Sequence, residues 1–152
     1  MTDDLHTTVT DRLRADGQRY TAQRRALVDL LAEVAPLSIP ELLEHQPELA
    51  QSSAYRNLAV LERAGVVHRI VTSHDFARYE LAEDLTHHHH HHLICTTCGA
   101  VADFEMADAV EQELEAALAK AARRAGYRVR AHRLDLVGTC PACTENTMRG
   151  MT

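Results

Sequence analysis

The chain has 152 residues and a net charge of −6, enough length for one large domain or two small ones. The mild acidity neither suggests nor excludes nucleic acid, because local arginine placement matters more than the total. No apolar stretch approaches the length needed to cross a bilayer, and the Met1-Thr2-Asp3-Asp4 start carries no secretory signal, so a cytoplasmic protein with no membrane partner is expected.

Residues 5–16 form a weak amphipathic helix that stops at Gly17. Thr21 precedes a clearer helix, in which Ala26, Leu27, Leu30 and Leu31 recur at helical spacing until Pro36 breaks the pattern. Ser38 with Glu41 three residues on predicts a capping box for a short helix through His45, closed by Pro47. Ser52 or Ser53 caps the next helix, which carries Tyr55, Leu58, Val60 and Leu61 and stops at Ala64-Gly65.

After Gly65 the periodicity changes. Val66 to Thr72 is rich in β-branched residues, Ser73-His74-Asp75 is a turn, and Phe76 to Leu81 returns as a second strand. Short helices followed by a hairpin are the layout of a winged helix-turn-helix; the bland alternative is a small helical domain with a stray hairpin.

His87 to Cys98 reads HHHHHHLICTTC. A six-histidine run is usually a purification tag. This one is internal and leads straight into a strand. Every cysteine lies in one of two C-x-x-C pairs, Cys95/Cys98 and Cys140/Cys143. In a reducing compartment such pairs more often bind metal than form disulfides. Four thiolates suit a closed tetrahedral Zn²⁺ site and leave no open position for a substrate.

His92 to Cys95 and Ala100 to Phe104 are expected as strands around this knuckle, and Met106 to Ala125 as a helix ending at Gly126. Alternation from Tyr127 to Val137 predicts a strand reaching Cys140, completing a β-β-α-β unit. So small a sheet has an open edge, and pairing it with a second copy would close it, so a homodimer is expected. The tail after Cys143 is polar and expected to be loose.

Several stretches together resemble the ferric uptake regulator (Fur) family of metal-dependent bacterial repressors. They are Arg19-Tyr20-Thr21-Ala22-Gln23-Arg24, Ser53-Ala54-Tyr55-Arg56-Asn57-Leu58, Ala64-Gly65-Val66-Val67 and Tyr79-Glu80-Leu81. The histidine run with C-x-x-C-G, Ala131-His132-Arg133-Leu134 and Gly138-Thr139-Cys140-Pro141-Ala142-Cys143 complete the set, so the resemblance spans about residues 10–145. It implies an α+β chain, with a winged-helix DNA-binding domain over 1–83, a small α/β dimerisation domain with a four-cysteine zinc site over 84–145, and a flexible tail over 146–152.

The resemblance also implies site residues. The helix starting near Ser53 matches the family's recognition helix, with Tyr55 and Arg56 entering the major groove, where a ring packs on a thymine methyl and an arginine reaches guanine or phosphate. Arg19 matches the basic residue that reaches an AT-rich minor groove. Without the resemblance, Tyr55 reads equally as half-buried core and Arg19 as part of a solvated face. The four cysteines match a structural zinc site. His68, Glu80, His90 and His92 match a regulatory site at the hinge, and His89, His91, Glu115 and His132 a further site in the dimerisation domain. Glu111, Glu113 and Glu115 all offer carboxylates on that helix, and Glu115 is selected by its distance to His132. His87 and His88 receive no role. Residues i and i+2 of a strand share a face, so one run can feed two sites.

The resemblance thus implies a metal-loaded homodimer that binds a palindromic double-stranded operator and represses metal-uptake genes, with no organic substrate and no catalytic residues. The regulatory metal is Zn²⁺ or Fe²⁺, and Mn²⁺ and Ni²⁺ also suit nitrogen and oxygen ligands. Two other classes compete. A zinc hydrolase needs an open coordination position and a general base, and no H-E-x-x-H motif is present. A histidine-rich metal store or chaperone would bind several ions and ignore DNA.

Overall fold

The computed structural model describes residues 2–72, 77–86 and 89–150. The expected turn at Ser73-His74-Asp75, Phe76 beside it, and His87 and His88 lie outside the described residues. The chain forms two compact units, Met1–His88 and His89–Thr152, divided inside the histidine run, a little beyond the 83/84 boundary expected from sequence.

In the first unit, α1 (Thr2–Ala15) buries Val9 and Leu13 and ends at Gly17, whose φ of +69° is the left-handed conformation that glycine adopts without strain. Buried His6 ties this helix down: its Nδ1 lies 2.7 Å from the Tyr20 hydroxyl and its Nε2 2.9 Å from Asp29. Helix α2 (Ala22–Val34) starts where the Thr21 side chain accepts the Arg24 backbone N–H, and it buries Leu27, Val28 and Leu31.

Strand β1 (Leu37–Ser38) leads into α3 (Ile39–His45). The capping box forms as expected: the Ser38 N–H donates to Glu41 Oε2 at 2.8 Å, and the Glu41 N–H donates back to the Ser38 hydroxyl. Arg78 adds an ion pair to the same carboxylate at 2.7 Å. Burial alone would raise the Glu41 carboxyl, but these bonds outweigh it and hold it below its usual range.

Helix α4 spans Gln51–Arg63, starting before Ser52 and Ser53 rather than at them. The Ala50 carbonyl accepts from both Ser53 and Ala54, so backbone alone closes the first turn and no side-chain cap is made. Strands β2 (Val67–Ile70) and β3 (Arg78–Leu81) pair antiparallel, and β1 adds to β3, giving the order β1-β3-β2 of a winged helix. A one-turn helix that the sequence did not announce, α5 (Glu83–Thr86), follows the wing. All these elements close over one apolar core running from Val9 to Leu85.

The second unit contains β4 (His91–Cys95), β5 (Val101–Phe104), α6 (Asp108–Arg124), β6 (Asp135–Gly138) and α7 (Pro141–Arg149). Its sheet runs β5-β4-β6, with β5 antiparallel and β6 parallel to β4. Two expectations are corrected here. The alternation over 127–137 yields a strand only from Asp135, because β4 offers register partners only for His92 to Cys95. The supposed loose tail is helical to Arg149: Cys140 is extended at the N-cap and Pro141 takes the first helical position, where its fixed φ fits and no N–H is needed.

The units differ in what holds them together. In the second, Ile94 and Cys95 are the buried apolar residues among those described, and neither α6, β6 nor α7 buries a residue. No helix among the described residues is long and apolar enough to cross a membrane.

Candidate metal centres and nucleic-acid interface

Cys95 ends β4, and Cys98 lies in the turn that Gly99 closes at φ +73°, its N–H donating to the Cys95 carbonyl. Cys140 and Cys143 sit at the start of α7. The four Sγ atoms lie within 4.8 Å of one another, and Cys98 and Cys140 are 3.8 Å apart. A tetrahedral zinc with Zn–S of about 2.3 Å sets its sulfurs about 3.8 Å apart, whereas a disulfide needs about 2.05 Å. All four are free thiols. The Cys140 backbone N–H donates to Cys95 Sγ at 3.3 Å and, with further backbone donors, lowers that thiol to about 6. Bonding to the Cys140 sulfur, together with burial, pushes Cys143 up to about 12. One thiolate is prepared and another is resisted, as expected of sulfurs that need a cation to ionise together. The residues fit a closed structural zinc.

A second cluster gathers at the opposite end of β4 from the cysteines. His89, His91, Glu111 and His132 bring ligand atoms within 4.8 Å of one another. The three Nε2 atoms stand 2.9, 2.8 and 2.8 Å from the Glu111 carboxylate. This corrects the assignment of Glu115. Glu111 lies in the first turn of α6, over the histidines, whereas Glu115 is one turn further along, exposed beside a small groove that His132 also lines. The His91 bond, helped by His89, outweighs burial, which would raise it, and holds the Glu111 carboxyl below its usual range. Two buried nitrogens here lack a hydrogen-bond partner among the described residues: His91 Nδ1, and His132 Nε2, which is close to Glu111 without the geometry of a hydrogen bond. Such atoms are costly unless something else engages them. Three imidazoles and one carboxylate fit a divalent transition metal. Replacing Glu111 with alanine is expected to weaken metal binding here by about 100-fold or more, above the range for outer-shell partners, while Glu115→Ala stays near wild type. Metal stoichiometry and chelator competition on both variants check this.

His90 and His92 belong to the opposite register of the run. Their rings are 5.2 Å apart, and with Asp103 they bring ligand atoms within 4.8 Å of one another. Asp103 stands opposite His92 in the β4–β5 register, and it was not among the residues expected from sequence, because only that register reveals it. His92 is 3% exposed, with Nδ1 3.0 Å from Asp135 and Nε2 4.0 Å from Asp103. In the first unit, His68 stands directly opposite Glu80 across β2 and β3, and Glu80 is a carboxylate only 6% exposed.

On α4, Ala54, Leu58 and Leu61 face the core. Tyr55 points away from them and is 52% exposed, which removes the half-buried-core alternative. Arg56 is exposed beside it and Ser53 is half-buried. Arg19 is also exposed, just before α2. Arg24 instead works inside the unit: it donates to the Arg19 carbonyl and to Asn57 of α4, bracing the loop against the helix. Neither Arg19 nor Arg56 forms an ion pair among the described residues, so both stay available for phosphate or bases.

The profile of the ferric uptake regulator family matches residues 15–137. The ferric uptake regulation protein of Neisseria gonorrhoeae is 33% identical over 138 residues, covering 87% of this chain and 90% of that protein. The peroxide operon regulator of Bacillus subtilis (strain 168) is 31% identical over 143 residues, covering 89% and 90%. Among solved structures, the ferric uptake regulator of Helicobacter pylori superposes with a TM-score of 0.70 at 22% identity over 95% of this chain and 94% of that one, a likeness of fold.

Proposed function

This chain belongs to the ferric uptake regulator family, whose members are metal-responsive transcriptional repressors, and from that membership we propose how its own residues carry out that role. Cys95, Cys98, Cys140 and Cys143 hold structural Zn²⁺. His68 and Glu80 of the first unit and His90 and His92 of the second share a regulatory divalent metal, Zn²⁺ or Fe²⁺, with Mn²⁺ and Ni²⁺ also suited to such ligands. His89, His91, Glu111 and His132 hold a further ion. Tyr55 and Arg56, with Ser53, read the major groove of a palindromic operator, and Arg19 reaches the minor groove.

The observation that carries this reading is the division of one histidine run between two ligand clusters, 89 and 91 in one and 90 and 92 in the other. A metal bound to the second set supplies one coordination sphere for residues of both units. The arrangement in which those ligands converge is favoured when metal is present, which shifts the population toward the DNA-competent form. The chain acts as a homodimer. Supporting this, β5 and β6 are both edge strands, and the sheet exposes Leu93, Leu136 and Val137 on a unit with almost no core of its own.

The test is operator capture. Tyr55→Ala and Arg56→Ala are each expected to lower operator affinity by about 1–3 kcal/mol, the range for a lost base contact, with metal binding intact. Unchanged capture by both would favour a metal store that ignores DNA.

A further inference from the structure

We propose that Asp135 is a positioning residue of the regulatory metal centre: it fixes the His92 tautomer and thereby sets how tightly that centre holds its ion. The proposal rests on His92 being a regulatory ligand, and it concerns a carboxylate that the ligand set does not include.

Asp135 begins β6, and its register partner on β4 is His92. Its Oδ1 lies 3.0 Å from His92 Nδ1, on a ring whose side chain is 4% exposed. A neutral imidazole carries one proton and has two places to put it. With a carboxylate at Nδ1, the proton stays there and is donated to Asp135. Nε2 is then the nitrogen without a proton, and Asp103 lies 4.0 Å from it. A carboxylate behind a ligating imidazole fixes tautomer and ring orientation and raises ligand basicity, and such partners are worth about 10–100-fold in metal affinity.

The neighbouring residue supplies the contrast. His91 is just as deeply buried, but its Nδ1 has no hydrogen-bond partner among the described residues, and its Nε2 meets Glu111. The two clusters fed by one strand thus differ in support: one histidine has a carboxylate behind its ring and the other does not. The same pairing runs on to Cys95 opposite Gly138, two residues before Cys140. The cysteine site therefore pins the far end of the β4–β6 pair, which keeps Asp135 in register with His92. A plain ion pair that only holds β6 to β4 would stabilise the sheet without affecting metal affinity or tautomer.

The experiment uses the full chain with its structural zinc retained, in a Glu111→Ala background that disables the neighbouring cluster. Zn²⁺ affinity is measured by chelator competition, and long-range ¹H–¹⁵N spectra report the His92 tautomer. Asp135→Ala is expected to weaken Zn²⁺ binding about 10–100-fold and to let the proton leave Nδ1. Asp135→Asn has nearly the same shape but no charge, and its amide N–H₂ can face Nδ1, so it is expected to shift the tautomer and weaken binding as well. It carries the test if the alanine variant fails to fold, and wild-type affinity and tautomer in it overturn the proposal. Affinity within about twofold of wild type in Asp135→Ala, or an unchanged tautomer, overturns the proposal. His92→Ala separates the two levels. If it loses the site while Asp135→Ala does not, only the role of Asp135 fails; if it too retains the site, the regulatory reading fails with it.

Discussion

Replacing Cys98 with serine, or stripping the four-cysteine site of zinc, is expected to unfold the second unit and leave the first folded. The reason is where apolar burial lies. The first unit closes over a continuous core that includes Leu13, Leu27, Leu42, Leu58 and Leu61, all fully buried. The second buries only Ile94 and Cys95 among its described apolar residues, and α6 buries nothing. A unit of that kind depends on cross-links. Structural zinc in small domains is worth about 10–16 kcal/mol of apparent binding free energy at neutral pH, against a net stability of about 5–15 kcal/mol for a whole domain. Losing the ion therefore removes about as much as such a unit has in reserve, and a site reduced to three thiolates holds the ion less tightly. Hydrogen exchange resolved by segment checks this: protection over β4, β5 and β6 collapses, while protection over α2, α4 and the wing persists. Uniform loss across both units, or none in the second, contradicts it. Because zinc takes its cysteines as thiolates, zinc uptake by the stripped protein is also expected to release protons and to weaken as pH falls.

Replacing His90 and His92 with alanine is expected to abolish the dependence of operator binding on metal while sparing the structural zinc. Typical coupling between two ligand sites is about 1–3 kcal/mol, or about 5–150-fold in affinity. The whole of that factor should vanish, leaving the affinity of the metal-free form. Glu80→Ala should act the same way from the first unit. Its carboxylate is buried at 6% exposure, and removing it deletes a carboxylate ligand. The matching change at His89 and His91 should leave a larger share of the metal response, because those side chains join the other cluster. Equal losses from both pairs would mean that the run acts as one undivided site.

Much of this was legible from sequence because it is local. Thr21, the Ser38–Glu41 box and Gly65 mark helix ends through contacts between near neighbours, and each appears where the spacing places it. The cysteine pairs announced a closed metal site because four thiols at that spacing have few other uses. What stayed hidden depends on register and on helix position. Glu111 and Glu115 share a helix face, and only the docking of α6 against β4 decides which of them meets the histidines. Asp103 and Asp135 look like ordinary strand carboxylates until both are aligned with His92. The α7 helix was missed because its polar residues suggested a tail, although Pro141 directly after Cys140 is a helix-start signal.

The most direct measurement of the central claim is fluorescence-anisotropy binding to a palindromic, AT-rich duplex at fixed salt. Protein that keeps only its structural zinc is compared with the same protein under buffered Fe²⁺ without oxygen, Mn²⁺, Ni²⁺ and Zn²⁺. Sharp tightening by one metal, lost in the His90/His92 variant, is the predicted result, and it names the metal. Binding that no metal changes would contradict the regulatory assignment of His68, Glu80, His90 and His92.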